Sequence, residues 1–191
     1  MHMKTRNLFI IAAMACSGSL LAQHNQLSLG VDLALPQGDF GKEYTLGVGP
    51  TVGFELPVGD HLGITVQAGY GFLMLKDDAK DVLESASLIP AQAGLKYYFM
   101  ESQKGLYAHG QLGIHSFTEK FKPLPAPFTR EEETETSTNF SWGIGVGYQL
   151  EKLDLGVRFN SISPKEEESG AEAEAFTYIG LRVAYLISLG K

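Results

Sequence analysis

Cysteine is nearly missing. The 191-residue chain has one, Cys16, too early and too solitary to build a disulfide or metal framework. Charge is sparse too, at 19% Asp, Glu, Lys and Arg, and it leans acidic, with 15 Lys+Arg against 22 Asp+Glu and a formal net charge of -7. That balance argues against nucleic acid as a partner, because such binders hold phosphate with clustered Lys and Arg. Nowhere do 18 apolar residues run together, so no transmembrane helix is expected. A membrane β-barrel escapes that test, since its strands alternate and average out in hydropathy. What the chain does have is glycine, 22 residues, at a mean hydropathy of -0.03. This combination suits neither a helical bundle nor a disordered chain and leaves an all-β fold of one domain.

The first residues read as an export signal. Lys4 and Arg6 precede a short apolar run from Leu8 to Cys16, and small residues from Ser17 to Ala22 lead into Gln23. Cleavage after Ala22 is expected, which makes residues 1–22 a signal peptide and 23–191 the barrel domain. Ala13-Met14-Ala15-Cys16 offers a competing site at which Cys16 would be lipidated.

From Leu27 onward the chain alternates with period two, large apolar residues against glycine, small or polar ones. Eight strands are predicted, at 27–35, 46–56, 62–74, 89–99, 106–116, 140–150, 153–160 and 177–189. Their apolar faces carry no charge at all. The opposite faces carry most of the glycines together with Asp32, Glu55, Lys96, Asp154, Arg158 and Arg182, three charges of each sign. A soluble lipocalin-like barrel, apolar inside and wet outside, would alternate in the same way. Glycine separates the two. On a solvent-exposed strand each glycine costs roughly 0.5–1 kcal/mol with no packing return, whereas in a narrow eight-stranded lumen it makes room for charged neighbours. The apolar face is therefore expected to meet lipid.

The connections support this. Those at 58–60, 101–104 and 151–152 are short, and those at 36–42, 76–86, 118–138 and 163–174 are long, the periplasmic-turn and external-loop pattern of outer-membrane barrels. Threading the chain up and down places Tyr70, Phe72, Phe140, Trp142 and Phe159 near the outer interface and Phe54, Tyr97, Phe99, Tyr148 and Tyr185 near the inner one. Two aromatic girdles result from an assignment that did not use them.

Three stretches carry a family resemblance: Gly30 to Pro36 followed by Gly38-Asp39-Phe40, Ile89-Pro90-Ala91 with Gly94 to Phe99, and Tyr178 to Val183. The chain resembles the small Gram-negative outer-membrane β-barrel family, the outer membrane protein beta-barrel domain with its OmpX-like and OmpA-like members. The resemblance implies an eight-stranded antiparallel up-and-down transmembrane barrel in the outer membrane, and it says little about activity. Two departures stand out. The sequence ends Leu189-Gly190-Lys191 without the terminal aromatic common in the family, and Pro50 and Pro90 each remove a ladder donor, marking either bulges or displaced strand windows.

The candidate chemistry lies in the lumen and the loops. Asp32, Glu55, Lys96, His109, Arg158 and Arg182 are expected to form a mutually neutralising lumen network, filled out by Gln67, Tyr98, Tyr107 and Tyr178, with a proton relay or ligand site as the sharper reading of the same residues. His109 and His115 share the lumen face but stand about 20 Å apart along the strand, too far to chelate one metal. Lipid A deacylases of the same size place a His-x-Ser motif on a late strand. The similar stretch here, Arg158 to Ser163, has Ser161 where the histidine would be, so the serine lacks a base and no enzyme is expected. No cofactor is expected either. The long connections hold carboxylate runs, Glu131 to Glu135 and Glu166 to Glu174, read as solvated loops or as a surface-recognition site with loose divalent-cation bridging to lipopolysaccharide. The function expected is an envelope-structural or surface-interaction barrel with a filled lumen, set in outer-membrane lipid and lipopolysaccharide as a monomer. The alternatives are a small-solute or ion pore, then a lipid-modifying enzyme.

Overall fold

The computed structural model describes residues 25–123, 133–164 and 175–189. The export signal, Cys16, Glu131 and Glu132, and the carboxylates of 166–174 lie outside the described residues.

Nine strand segments follow in order: β1 (Asn25–Gln37), β2 (Tyr44–Val58), β3 (Leu62–Gly69), β4 (Gly71–Leu75), β5 (Leu83–Tyr98), β6 (Gly105–Phe121), β7 (Glu133–Gln149), β8 (Leu153–Ser163) and β9 (Phe176–Leu189). Each pairs antiparallel with its neighbours, and β1 pairs with both β2 and β9, which closes the sheet into a barrel. β3 and β4 are two halves of one stave. Both pair with β2 and with β5, so the barrel has eight staves, as the alternation predicts. Among the described residues no helix is long and apolar enough to cross a membrane.

The prolines explain the split, and they act differently from either expectation. Thr51 pairs with Gly69 and Val48 with Phe72 in one continuous register, so Pro50 marks neither a bulge nor a displaced window. Tyr70 donates its N–H to the Pro50 carbonyl at 3.0 Å, and Pro50 has no N–H to return. Pro90 stands on the other side, where a Cβ added to Gly69 would lie 3.4 Å from its ring. The stave is thus interrupted at Tyr70 between two prolines while its register is kept. At Gly49 an added Cβ would sit 1.7 Å from the Tyr70 carbonyl oxygen, so this close approach admits only glycine.

The large apolar side chains of the predicted lipid face are exposed all round the barrel, including Leu29, Val66, Leu95, Ile144, Val157 and Val183, while Glu55, Lys96, Asp154, Arg158 and Arg182 are buried inside. Aromatic side chains gather at both ends of the apolar band, with Tyr70 and Phe72 4.8 Å apart and Trp142 and Phe159 5.8 Å apart at one end, and Tyr97 and Phe99 5.6 Å apart at the other.

The strands run further at the long-loop end than the sequence windows. β6 continues to Phe121, β7 begins at Glu133 and β5 at Leu83, so much of the expected 118–138 and 76–86 connections is ladder. The alternation changes phase there. Ser87, Thr118 and Thr136 take the outward positions while Leu88, Phe117 and Leu83 turn inward, because beyond the apolar band the outside is water and the barrel mouth becomes the dry side. The short helix α1 (Phe40–Glu43) lies in the first long connection and buries Phe40 in that mouth.

Candidate functional site: the charged lumen and the outer mouth

The lumen charges form two clusters joined by one arginine. In the first, Asp32 receives an ion pair from Arg158 and another from Arg182 at 3.3 Å, with the Gln67 amide donating at 3.1 Å. Arg158 also donates to Gln67 Oε1 at 2.9 Å and Gln111 Oε1 at 2.8 Å, and Arg182 to the hydroxyls of Thr51 and Ser28, both at 2.9 Å. In the second, Lys96 Nζ lies 3.0 Å from Glu55 and 3.0 Å from Asp154. Tyr98 donates to Glu55 at 2.6 Å and Tyr107 to Asp154 at 2.6 Å, while the Lys96 ammonium sits 4.4 Å from the Tyr107 ring centre. Arg182 Nε, 3.8 Å from Asp154, links the two clusters.

Three acids therefore meet three bases inside a low-dielectric wall, and each charge has an opposite partner as well as hydrogen bonds, the condition under which buried ions are tolerated. Five of the six predicted network residues are brought together this way. His109 lies beside them on the lumen face and shares its Nε2 with the Thr65 hydroxyl at 2.9 Å rather than with a carboxylate. Asp154 is as central as any of them. The sequence places it on the lumen face, and only its distance along the chain from Lys96 hides the pairing. Gln149, whose Oε1 accepts from Lys96 at 3.3 Å and lies 2.8 Å from the Tyr98 hydroxyl oxygen, carries no sequence signal beyond its alternation.

Glycine supplies the space. A Cβ on Gly63 would lie 2.2 Å from a Glu55 carboxylate oxygen, and one on Gly147 2.2 Å from the Tyr107 hydroxyl. Gly145 makes room for the Arg158 stem in the same manner, with only 2.5 Å to its Cγ. What remains open beside the second cluster is a cavity of about 30 Å³ bounded by Ser28, Glu55, Lys96, His109 and Arg182, the room of a water molecule or two.

The other candidates separate. His115 is fully buried and shares its Nε2 with the Tyr178 hydroxyl at 2.8 Å, far from the Thr65 partner of His109. Ser161 is buried between Trp142 of β7 and Thr177 of β9, its partners across the two ladders.

Above the charges the lumen changes character. Phe40, Tyr44, Leu73, Leu83, Leu88, Ile162 and Tyr178 form an apolar cluster that fills the mouth, with the Phe40 ring 5.1 Å from Tyr44 and 5.5 Å from Phe176. The sequence reading missed this plug. Its signal is the phase change at Phe117-Thr118 and Ser87-Leu88, where an inward apolar residue meets an outward hydroxyl. At its edge the Tyr44 hydroxyl donates a short hydrogen bond to Glu119. Burial, reinforced by the Glu43 and Glu135 carboxylates, raises the Glu119 carboxyl above the usual range, against the pull of the Tyr44 bond.

An apolar outer wall, a neutralised polar interior, and short turns at one end with long connections at the other define a transmembrane β-barrel of the outer-membrane type. The chain belongs to the outer membrane protein beta-barrel domain family, which it matches over residues 8–185. Its place is the outer membrane. It is similar in structure to Ail, the attachment invasion locus protein of Yersinia pestis, at 12% identity and TM-score 0.58, covering 86% of this chain and 99% of that one. A second Ail structure, in complex with the heparin analogue sucrose octasulfate, gives 0.57 at 12% identity over 86% and 99%. The N-terminal barrel of Pseudomonas aeruginosa OprF gives 0.55 at 13% identity over 86% and 98%. At these identities the likeness is one of fold. None of the curated proteins matches the sequence.

Proposed function

We propose that the protein is a monomeric envelope scaffold that acts through its outer end, its lumen serving as a closed structural plug and not as a conduit or a catalytic centre. The observation that carries this reading is the double filling of the barrel. A charge network with no unpaired ion occupies the inner part, and an aromatic plug closes the outer mouth. In this reading residues 1–22 are the export signal and 23–191 the barrel domain.

The outer end is where an interaction would fall, because it carries the long connections and the excess of carboxylate. Asp39, Glu43, Asp77, Asp78 and Glu119 lie there among the described residues, and Glu131, Glu132 and Glu166 to Glu174 belong to connections at the same end. Ail has been captured with a polysulfated ligand. The acidic end of this chain would repel such a ligand, so the charge complement favours a cationic partner, or divalent cations shared with lipopolysaccharide phosphates. Ser163, the serine of the stretch that resembles a deacylase motif, faces Phe140 across the β7–β8 ladder and has Ser161 at the base position two residues before it, which supports the non-enzymatic reading.

The test is excision of 124–132 and 165–174, each replaced by a few Gly and Ser residues. Folding should survive, since closure entropy changes slowly with loop length, while binding of cells to a cationic surface should fall. Unchanged binding would leave only the scaffold role. Phe121 and Glu133 to Thr136 must be kept, because they are strand residues and not loop.

A further inference from the structure

The outer mouth holds an open cleft of about 480 Å³ beside the aromatic plug, within the usual size range of ligand pockets. Its walls are α1, the turn at 79–82 and the end of β6. Ala79, Val82, Leu83 and Phe121 give it an apolar side, and Glu43, Asp78 and Glu119 an acidic one. Val82 is 51% exposed, a branched apolar side chain held open to water beside the exposed Asp81 and Glu84. Backbone hydrogen bonds tie both walls: Lys76 N–H donates to the Glu43 carbonyl and Lys122 N–H to the Val82 carbonyl, each at 2.9 Å. The cleft is therefore preformed, which lowers the ordering cost of binding.

Its lining is net acidic, three carboxylates against the ammonium of Lys42, and Lys80 of the wall turn is paired with Asp77. Lys42 on the rim is paired with Asp39. Glu119 stands directly opposite Glu135 across the β6–β7 ladder, a like-charge cross-strand pair that is ordinarily destabilising. Among the described residues no group of three or more His, Cys, Asp and Glu has metal-binding geometry, which favours an organic cation over a bare one. Arginine and lysine combine a charged head with an apolar stem, the same two chemistries that face each other across this cleft.

We propose that the cleft receives a basic side chain and its apolar neighbour from an extended segment of a partner protein, the cation meeting Glu119 and the apolar residue lying on Val82 and Phe121. The inference rests on the surface-interaction reading and names the partner's chemistry. The raised Glu119 carboxyl fits it, since a bound cation would relieve the crowding of negative charge that burial and its neighbours impose.

The test uses the full mature barrel refolded in zwitterionic micelles, with heat-modifiable gel mobility confirming that each variant is folded. The probe is a blocked tetrapeptide alternating leucine and arginine, titrated by calorimetry beside the same peptide with glutamate in place of arginine. The arginine peptide should bind, about tenfold more weakly to Glu119→Gln, the loss of one charge-assisted contact, and severalfold more weakly to Val82→Ser. Glu151→Gln, at the opposite end of the barrel, should change nothing. Equal binding by all variants, or by the glutamate peptide, would overturn the inference. So would occupation of the cleft by calcium chloride alone, or a dimer of the chain that Glu119→Gln dissociates. If the cleft variants leave cell-surface binding intact while excision of the acidic connections removes it, this inference fails and the surface-interaction reading stands; if neither alters that binding, both fail.

Discussion

Lys96 on β5 and Asp154 on β8 meet at 3.0 Å although the two strands pair neither with each other nor with any strand in common, so their ion pair braces the barrel across its interior. Backbone hydrogen bonds hold adjacent staves together; this pair holds staves that never touch. Arg182 extends the brace to Asp32 and so to β1.

Breaking the brace from one side should therefore be costly. Lys96→Met leaves Glu55 buried without a cation and Asp154 with only Arg182 at 3.8 Å, and is expected to destabilise by about 3–5 kcal/mol, as for other buried pairs that lose one partner. Adding Glu55→Gln and Asp154→Asn to that variant should recover much of the loss. Urea unfolding in micelles, followed by tryptophan fluorescence from Trp142, measures both. A single variant as stable as the parent would show that the pair braces nothing.

The glycines should divide sharply by face. Gly147→Ala drives a methyl into the Tyr107 hydroxyl and is expected to cost about 1–3 kcal/mol from overpacking. Gly110→Ala points outward, where nothing lies within 4 Å, and should be neutral or stabilise by up to about 1 kcal/mol. Equal effects in the same unfolding assay would contradict the claim that lumen glycine exists to clear space.

Much of this was readable in the sequence, and the reasons are specific. The period-two pattern of Phe140, Trp142, Ile144 and Val146 against Ser141, Gly143 and Gly145 identifies a stave with a lipid side and a crowded side, because the pleat sends neighbours to opposite faces. The same pattern puts Asp32, Lys96, Arg158 and Arg182 in the lumen. It does not say which charge meets which, since that depends on barrel shear and on strands far apart in sequence. Nor does it follow a strand out of the membrane: at Thr118 and Ser87 the faces exchange roles, and a rule tuned to an apolar exterior reads the strand as loop. Phe40 illustrates the remaining gap, a single aromatic in a polar connection whose burial depends on tertiary contact alone.

Depth should govern the tolerance of charge on the outer wall. Val146, 55% exposed in the apolar band, is expected to lose about 2–4 kcal/mol on substitution by Lys if it sits near the bilayer midplane. Val82, similarly exposed in the outer turn, should tolerate Lys with little change. Folding yields into lipid vesicles at graded urea compare the two, and equal penalties would contradict the placement of the band.

The outer mouth should respond to pH with the opposite sign to an ordinary ion-paired carboxylate. Glu119 holds its proton to higher pH in the folded barrel than in the unfolded chain, so the folded state binds more protons in that window. Its contribution is present below the ordinary glutamate range and is lost as pH rises through the raised folded value. Glu119→Gln should then gain stability over the parent near neutral pH, and the difference should vanish toward about pH 4. Thermal melts of the two proteins across that range would show a constant gap if Glu119 titrates normally.

Planar-bilayer conductance of the refolded full-length barrel tests the closed lumen most directly. Eight staves enclose only enough room for side chains, and here Arg158, Arg182, Lys96 and the Phe40 plug fill it. The unmodified protein is expected to insert without a steady current, and Arg158→Ala with Arg182→Ala, which strips the bases from Asp32 and opens space for water, should leak cations. Steady, ion-selective current from the unmodified protein would contradict the closed lumen and make the barrel a pore.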